Sequence, residues 1–239
     1  MAHISRRELK KDEVRETFAH GAEAVLSHQQ LAIYIVIAAI VVAGGFYGWK
    51  TYTERQTVKA SALFDDAMKD FQARETAPGE QAQPGETTYS DEKTKYSDAA
   101  KNFAGVTAQY PRTHSGELGK YYEALSLEHL DKSDDAKKLL QSVGDSTNEE
   151  FASLARLELA GLDDRTNQST EAGNLYQQLL AKPTTLVPKP VVLLALAEYY
   201  AQKDPSQAAK YFGQIKSDYP GTPIATQAEQ ELALLSDKS

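Results

Sequence analysis

The sequence predicts an all-α protein in which a single N-terminal transmembrane helix is followed by an α-solenoid of about four divergent helical hairpins. Three observations support this class: an apolar, uncharged segment near the N-terminus, helix-start signals from residue 96 onward, and one residue pattern that returns every 36 or 37 positions. The chain accordingly divides into five parts, which are a tail (1–30), an anchor (31–49), a continuing helix (50–75), a linker (76–95) and a repeat domain (96–235).

The anchor segment reads LAIYIVIAAIVVAGGFYGW and contains no charged residue. As an α-helix its 19 residues span about 28 Å, close to the thickness of a bilayer's hydrocarbon core. Tyr47 and Trp49 lie where interfacial aromatic side chains are found. A buried core helix and a signal peptide cleaved near Ala43 are the alternatives. The long polar tail before the segment, which we predict to be an amphipathic helix, favours a retained anchor.

The charges around the anchor leave its direction open. Residues 1–30 and the 30 residues after the anchor each carry five Lys or Arg side chains, and within 20 residues of the anchor the count is two against four, which favours a cytoplasmic C-terminal side. The formal charge of −8 arises entirely after the anchor. An acidic body argues against nucleic-acid binding, because phosphate contacts need a basic surface.

The two segments after the anchor differ in composition. Residues 50–74 contain no Gly or Pro and carry an apolar stripe that includes Phe64, Ala67 and Phe71, so the anchor helix is predicted to continue through them. The stretch TAPGEQAQPGETTYSDE, residues 76–92, has two Pro-Gly pairs and almost no apolar side chain. Such a composition buries too little surface to order itself, so we expect a flexible linker.

Four sets of residues carry the repeat. In each set an alanine is followed four positions later by a large apolar residue and seven positions later by another apolar one. A small residue lets antiparallel helices approach closely, and the large one fills the gap between hairpins. The alanines are 37, 36 and 36 residues apart, and the alternative to a solenoid is a helical bundle without repeats. The sets are Ala99/Phe103/Val106, Ala136/Leu140/Val143, Ala172/Tyr176/Leu179 and Ala208/Phe212/Ile215.

Turn and cap signals separate these helices. The phrases AQYPRTHSG and SDYPGTPIA, 109 residues apart, close the first and fourth repeats, where a proline stops the second helix. We predict N-caps at Ser97, Ser133 and Asp204, and a capping box formed by Thr147 and Glu150.

The pattern resembles the tetratricopeptide repeat, whose second helix has a small residue, an aromatic four positions later and a proline twelve positions later. Ala99/Phe103/Pro111 and Ala208/Phe212/Pro220 match this pattern in full. The middle repeats depart from it, with Leu140 and Tyr176 at the aromatic position and Pro183 one residue early. The repeats are therefore divergent members of this class.

The whole layout is similar to the YfgM-like family, the ancillary subunit of the SecYEG translocon. The resemblance implies a single-pass protein of the bacterial inner membrane, with a cytoplasmic N-terminus and a periplasmic repeat domain. It also implies association with translocon subunits and with periplasmic chaperones that handle exported chains. The alternative is a structural component of another envelope assembly, in outer-membrane assembly or cell-division coordination, that lacks a specific peptide groove.

The sequence contains no recognisable catalytic or metal-binding motif. It has no cysteine, only His114 and His129 follow the anchor, and it lacks HExxH, GxSxG and phosphate-loop patterns. We therefore expect no enzymatic activity, cofactor, metal site or small-molecule substrate, and an enzyme of unrecognised type is the remaining alternative. Protein partners are expected instead.

The first helices of such hairpins usually line a concave groove that binds partners. In the predicted register this groove draws on Tyr121, Glu128, His129, Asp164, Arg165 and Tyr200, although core packing is an equal alternative for the tyrosines. Within the anchor, Gly44 and Gly48 form a GxxxG pair that permits close helix packing in lipid, unless they only reflect the frequency of glycine in anchors.

Overall fold

The computed structural model describes residues 29–77, 83–166 and 168–236 of the chain. The chain separates into two compact units, residues 1–55 and residues 56–239. The amphipathic helix predicted before the anchor lies outside the described residues.

Helix α1 runs from Gln29 to Gln72 and begins with the predicted anchor. Its portion Ile33–Gln72 is long and apolar enough to cross a membrane, judged by length and composition. The large apolar side chains between Leu31 and Trp49 are exposed, each to more than half of its surface. The segment is therefore a candidate membrane span.

Two short strands follow α1: the first replaces the last residues of the predicted continuing helix (50–75), because α1 ends at Gln72, and the second lies within the predicted linker (76–95). Strand β1, Arg74–Glu75, pairs in parallel with strand β2, Thr88–Tyr89. The Tyr89 hydroxyl donates a hydrogen bond of 2.9 Å to Asp70 Oδ1, and Arg74 Nε lies 3.1 Å from Glu86 Oε1. The first contact holds the segment against α1 and the second joins β1 to the residues before β2, an order that composition alone does not reveal.

Eight further helices complete the second unit within the described residues, and each packs against its neighbours in sequence. The prediction of an all-α repeat fold is confirmed. The first of these helices begins at Glu92, before the predicted start of the repeat domain. The helices are α2 (Glu92–Gln109), α3 (His114–His129), α4 (Ser133–Gly144), α5 (Glu149–Arg165), α6 (Ser169–Ala181), α7 (Lys189–Ala201), α8 (Pro205–Asp218) and α9 (Pro223–Ser236).

The predicted repeat register agrees with the pattern of burial. All twelve residues of the four sets are buried, and the four alanines are completely inaccessible. Their partner alanines Ala124, Ala160 and Ala197, on α3, α5 and α7, are completely inaccessible as well. Close helix contact at these alanines therefore recurs along the second unit, and each hairpin contributes its own small core, as in a solenoid.

The repeated Tyr-Pro phrase ends one helix and begins the next. Tyr110 closes α2 with its N–H donating to Val106 O, and Thr113 is the N-cap of α3. Thr113 Oγ1 donates to the Tyr110 carbonyl at 2.8 Å and accepts from Gly116 N at 3.1 Å. In the fourth repeat the Thr222 hydroxyl likewise donates a hydrogen bond of 2.6 Å to the carbonyl of Tyr219. The threonine, as much as the proline, explains why the phrase occurs twice.

The other predicted caps have mixed outcomes. Asp204 caps α8 as predicted, accepting at 3.1 Å from Ser206 N and Gln207 N. Ser133 is instead the first residue of α4, and Asp91 replaces Ser97 as the cap of α2. The capping box at Thr147 is wrong because the cap of α5 is Asn148, and Glu150 bonds a distant loop.

Candidate protein-binding surface

An open depression of about 410 Å³ lies where three helices of the second unit meet. We call it the α1–α3–α5 depression. Helix α1 contributes Phe71, and α5 contributes Glu158 and Arg165. Helix α3 contributes Leu125, Glu128 and His129, which share one helix face because they are three and four residues apart. Three predicted groove residues, Glu128, His129 and Arg165, are thus brought together.

The charged residues of the depression form a small network. Arg165 Nη2 donates a hydrogen bond to Glu128 Oε2, and the same nitrogen lies 3.6 Å from Glu158 Oε1. Glu128 and Arg165 are 37 residues apart in the sequence, which is one repeat. The contact therefore ties the first helix of one hairpin to the first helix of the next.

Glu128 is the most perturbed of these groups. Its side chain is only 13% exposed, and its Oε1 atom is buried without a hydrogen-bond partner in the described part of the chain. Burial, and to a smaller extent the nearby carboxylate of Glu158, raise the pKa of Glu128 to about 7 against the opposing effect of Arg165. Near neutral pH this carboxyl group is therefore poised between its charged and neutral forms.

Aromatic rings form one wall of the depression. The His129 ring stacks on Tyr96 at a centroid distance of 3.8 Å and an interplanar angle of 4°. Phe71 approaches both rings edge-on, at 6.3 Å and 5.5 Å. His129 Nδ1 also lies 3.3 Å from Glu92 Oε1, at the edge of a second, more polar depression of about 590 Å³. The histidine therefore has an aromatic face and a polar edge.

Asp164 and Tyr200 lie apart from the α1–α3–α5 depression. Asp164 Oδ1 accepts from Lys203 Nζ at 2.6 Å and from Ser169 Oγ at 3.0 Å. The Lys203 ammonium lies 4.3 Å from the ring centroid of Tyr199. Tyr200 stacks on Tyr211 at 5.9 Å and is half-buried. The Asp164–Lys203 pair joins α5 to the turn after α7, much as the Arg165 contact joins α3 to α5, so a similar charged contact recurs one hairpin later.

Tyr121 belongs to the core rather than to an open groove. It is 9% exposed and packs with Leu140 and Phe151 in the hydrophobic cluster between α3, α4 and α5. Burial is the main reason that its pKa lies well above the ordinary value. For this tyrosine the structure shows core packing, which the sequence left as an equal alternative.

Sequence reasoning missed the apolar and acidic partners in the depression. The sequence pattern places Phe71 in the apolar stripe that follows the anchor and does not single out Leu125. Glu158 lies seven residues before Arg165, two helical turns away on the same face, and this spacing is the one available signal. The meeting of Phe71 with α3 and α5 has no local signal, because it spans the linker.

Residues 29–77, 83–166 and 168–236 contain no group of three or more His, Cys, Asp or Glu side chains that could hold a metal ion. In α1 a Cβ atom added at Gly44 or Gly48 would meet nothing within 4 Å. Their small-residue face is therefore open within the described chain.

Comparison with known families agrees with the observed fold. A family model described as a tetratricopeptide repeat-like domain matches residues 27–168, more than half of the chain. A second model, described as a tetratricopeptide repeat, matches residues 192–222. The search of curated proteins gave no match. The first match reaches from α1 to the end of α5, and the second covers most of α7 and α8.

Proposed function

The chain belongs to the tetratricopeptide repeat-like domain family, and from this we propose that it is a membrane-anchored scaffold that binds other proteins and has no catalytic role. The observation that carries the proposal is the α1–α3–α5 depression, where an apolar floor meets Glu128, Glu158 and Arg165. Tetratricopeptide repeats in general serve protein–protein interaction, and a surface that combines apolar and charged groups suits a polypeptide partner.

We further propose that the partners are translocon subunits, periplasmic chaperones or exported chains. The support is the resemblance of the layout to the YfgM-like family: a charged tail, one anchor and about four divergent repeats. The second candidate is a rigid spacer in another envelope assembly. The charged contacts between neighbouring hairpins, Arg165 to Glu128 and Lys203 to Asp164, favour this candidate because they oppose bending between the hairpins.

The proposed location is the bacterial inner membrane, with residues 31–49 as the span, the N-terminus in the cytoplasm and the repeat domain in the periplasm. A fusion of alkaline phosphatase to the C-terminus tests the direction, because this enzyme folds only after export. We expect an active fusion. An inactive fusion, together with an active cytoplasmic reporter at the same position, would reverse the topology and remove the translocon proposal.

Site-specific photo-crosslinking tests the scaffold proposal. A photoreactive phenylalanine analogue replaces His129, at the rim of the depression, or Tyr200, which is half-buried among the tyrosines of α7 and α8. The matched control position is Lys138, whose side chain on the second helix α4 is 73% exposed. We expect protein adducts from His129 and Tyr200 and none from Lys138. Equal adducts from all three positions, or none, would contradict the proposal.

A double variant separates the scaffold from the spacer. His129→Ala with Tyr200→Ala alters one exposed and one half-buried position and leaves the buried Tyr121 intact. If the chain is a scaffold, co-purification of its partners from detergent-solubilised membranes falls while the folded content of the chain is unchanged. Unchanged co-purification would favour the rigid spacer.

A further inference from the structure

We propose that the α1–α3–α5 depression binds one lysine or arginine side chain of the partner polypeptide, with its aliphatic stem on Phe71 and Leu125 and its cationic group between Glu128 and Glu158. The inference rests on the proposed scaffold function and specifies the partner chemistry at that surface. It assigns to the partner a basic residue within an apolar segment.

The charge of the depression selects a cation. Two carboxylates, Glu128 and Glu158, face a single guanidinium, that of Arg165, so one negative charge is left uncompensated when both are ionised. A partner carboxylate would meet net repulsion here, whereas an ammonium or guanidinium group would be attracted. The whole chain is also negatively charged, with 34 acidic side chains against 26 basic ones, and this charge attracts a cationic partner as well.

The contacts among Arg165, Glu128 and Glu158 leave one carboxylate oxygen available to accept a hydrogen bond from such a cation. Arg165 contacts both carboxylates through the same nitrogen, Nη2, and its side chain is 58% exposed. Glu128 Oε1 has no hydrogen-bond partner in the described part of the chain. A buried acceptor without a donor is unfavourable, and a small movement of the exposed Arg165 side chain opens it to an incoming donor. The contact of both carboxylates with the Arg165 guanidinium indicates that they bind a cationic donor.

The size and lining of the depression fit a long basic side chain. Its volume of about 410 Å³ lies within the range of about 300–1,000 Å³ typical of ligand pockets. Phe71 and Leu125 supply apolar contact for methylene groups, and lysine and arginine bury such stems while their charged ends stay hydrated. The rings of Phe71 and His129 add a surface on which a guanidinium can stack.

Fluorescence anisotropy with defined peptides tests the proposal on the full chain in dodecyl maltoside micelles. The probes are fluorescein-labelled Gly-Ser-Leu-Arg-Phe-Leu-Ser-Gly and two analogues with Gln or Glu in place of Arg. We expect the Arg peptide to bind about tenfold more tightly than the Gln peptide, which is the effect of one charge-assisted contact. The Glu peptide is expected to bind more weakly than the Gln peptide.

Two variants locate the effect. Glu158→Gln removes one carboxylate and keeps the contact between Arg165 and Glu128, and it should abolish the advantage of the Arg peptide. Glu229→Gln makes the same change at an exposed ion pair with Lys216 on α8, 3.4 Å away, and should preserve that advantage.

Equal binding of the Arg and Gln peptides, binding of none of the three, or an unchanged preference in Glu158→Gln would overturn the proposal. Tighter binding of the Glu peptide would assign the site to an anionic partner and overturn it as well. The crosslinks from Tyr200 report on partner binding independently of the peptides. A failure of the basic-residue proposal is therefore distinguishable from a failure of the scaffold proposal.

Discussion

Glu128→Gln should remove a pH-dependent loss of folding stability from the protein. In the folded chain this carboxyl group is largely buried and lies close to Glu158, so its charged form is disfavoured despite Arg165. Glutamine has almost the same shape and cannot ionise. The substitution therefore changes the charge at this position with little change in packing.

The sign and size of the effect follow from the raised pKa. The folded chain holds the Glu128 proton more tightly than the unfolded chain, whose pKa is near 4.5, so stability is greatest below pH 4.5 and falls as the pH rises toward 7. Each pH unit of difference between the two pKa values corresponds to about 1.4 kcal/mol. Between pH 5 and pH 8 the wild type should therefore lose about 2 kcal/mol relative to Glu128→Gln.

The measurement is urea unfolding of the full chain in dodecyl maltoside micelles, followed by far-ultraviolet circular dichroism at several pH values. The quantity compared is the difference in unfolding free energy between variant and wild type, because other titrating groups contribute equally to both. Glu229→Gln, at an exposed position, is the control and should give a difference that does not vary with pH. Arg165→Gln should make the pH dependence of an otherwise wild-type chain steeper, because Arg165 lowers the Glu128 pKa.

A difference between Glu128→Gln and wild type that stays constant from pH 5 to pH 8 would refute the raised pKa. A difference of opposite sign, with the wild type gaining stability as pH rises, would show that attraction to Arg165 exceeds the cost of burial. In that case the carboxylate would be fully ionised at neutral pH.

The same unfolding assay checks three further predictions. Phe103→Ala and Phe212→Ala each remove a completely buried ring and should each cost about 3–5 kcal/mol; losses near zero would mean that these rings do not fill the hairpin junctions. Gly116→Ala places a Cβ 2.0 Å from a backbone oxygen and should cost about 1–3 kcal/mol, whereas Gly213→Ala, which meets nothing within 4 Å, should stabilise α8 by about 0.5–1 kcal/mol. Similar results for both glycines would argue against the close approach at the first Tyr-Pro turn. Thr113→Ala should lower the unfolding free energy by about 1 kcal/mol through loss of the α3 cap. Thr113→Ser keeps the capping hydroxyl and should retain most of the wild-type stability.

The repeat register was predictable because it depends on local spacing. An alanine followed by large apolar residues at four and seven positions marks one face of a helix, and that face is buried in all four hairpins. A small residue is needed wherever two helices approach closely, and this happens once in each hairpin, so the alanine returns every 36 or 37 residues. Residues at these positions are identifiable even where the turn between them has changed.

The candidate site was only partly predictable because its residues meet through contacts between distant segments. Glu128, His129 and Arg165 were placed on first helices, but the burial of Glu128 depends on neighbours from α1 and α5. Tyr121 is buried and the adjacent Tyr122 is half-buried, because the rotation of α3 about its axis decides which of them faces the core. The apolar residues of α3 are spaced too irregularly for the sequence to predict that rotation. The parallel pairing of β1 with β2 joins residues 14 positions apart across the linker, for which no periodicity exists.

The third repeat shows how a turn can change while the helix spacing is preserved. Its turn lacks the Tyr-Pro phrase, and α7 begins without a side-chain cap. A longer loop takes its place: Glu150 accepts from Thr185 N at 3.2 Å and from Leu186 N at 2.8 Å, and the completely buried Val187 fills the space beneath it.

A further contact ties this loop to α5. The hydroxyls of Ser153 and Thr184 lie 2.7 Å apart. Side chains of α5 thus supply the hydrogen bonds that Thr113 supplies in the first repeat. Because the backbone groups of a turn need partners but not particular ones, the turn sequence is free to vary. The alanines before and after this loop stay 36 residues apart. Their spacing is set by the close contact of neighbouring helices, and a larger side chain would not fit there.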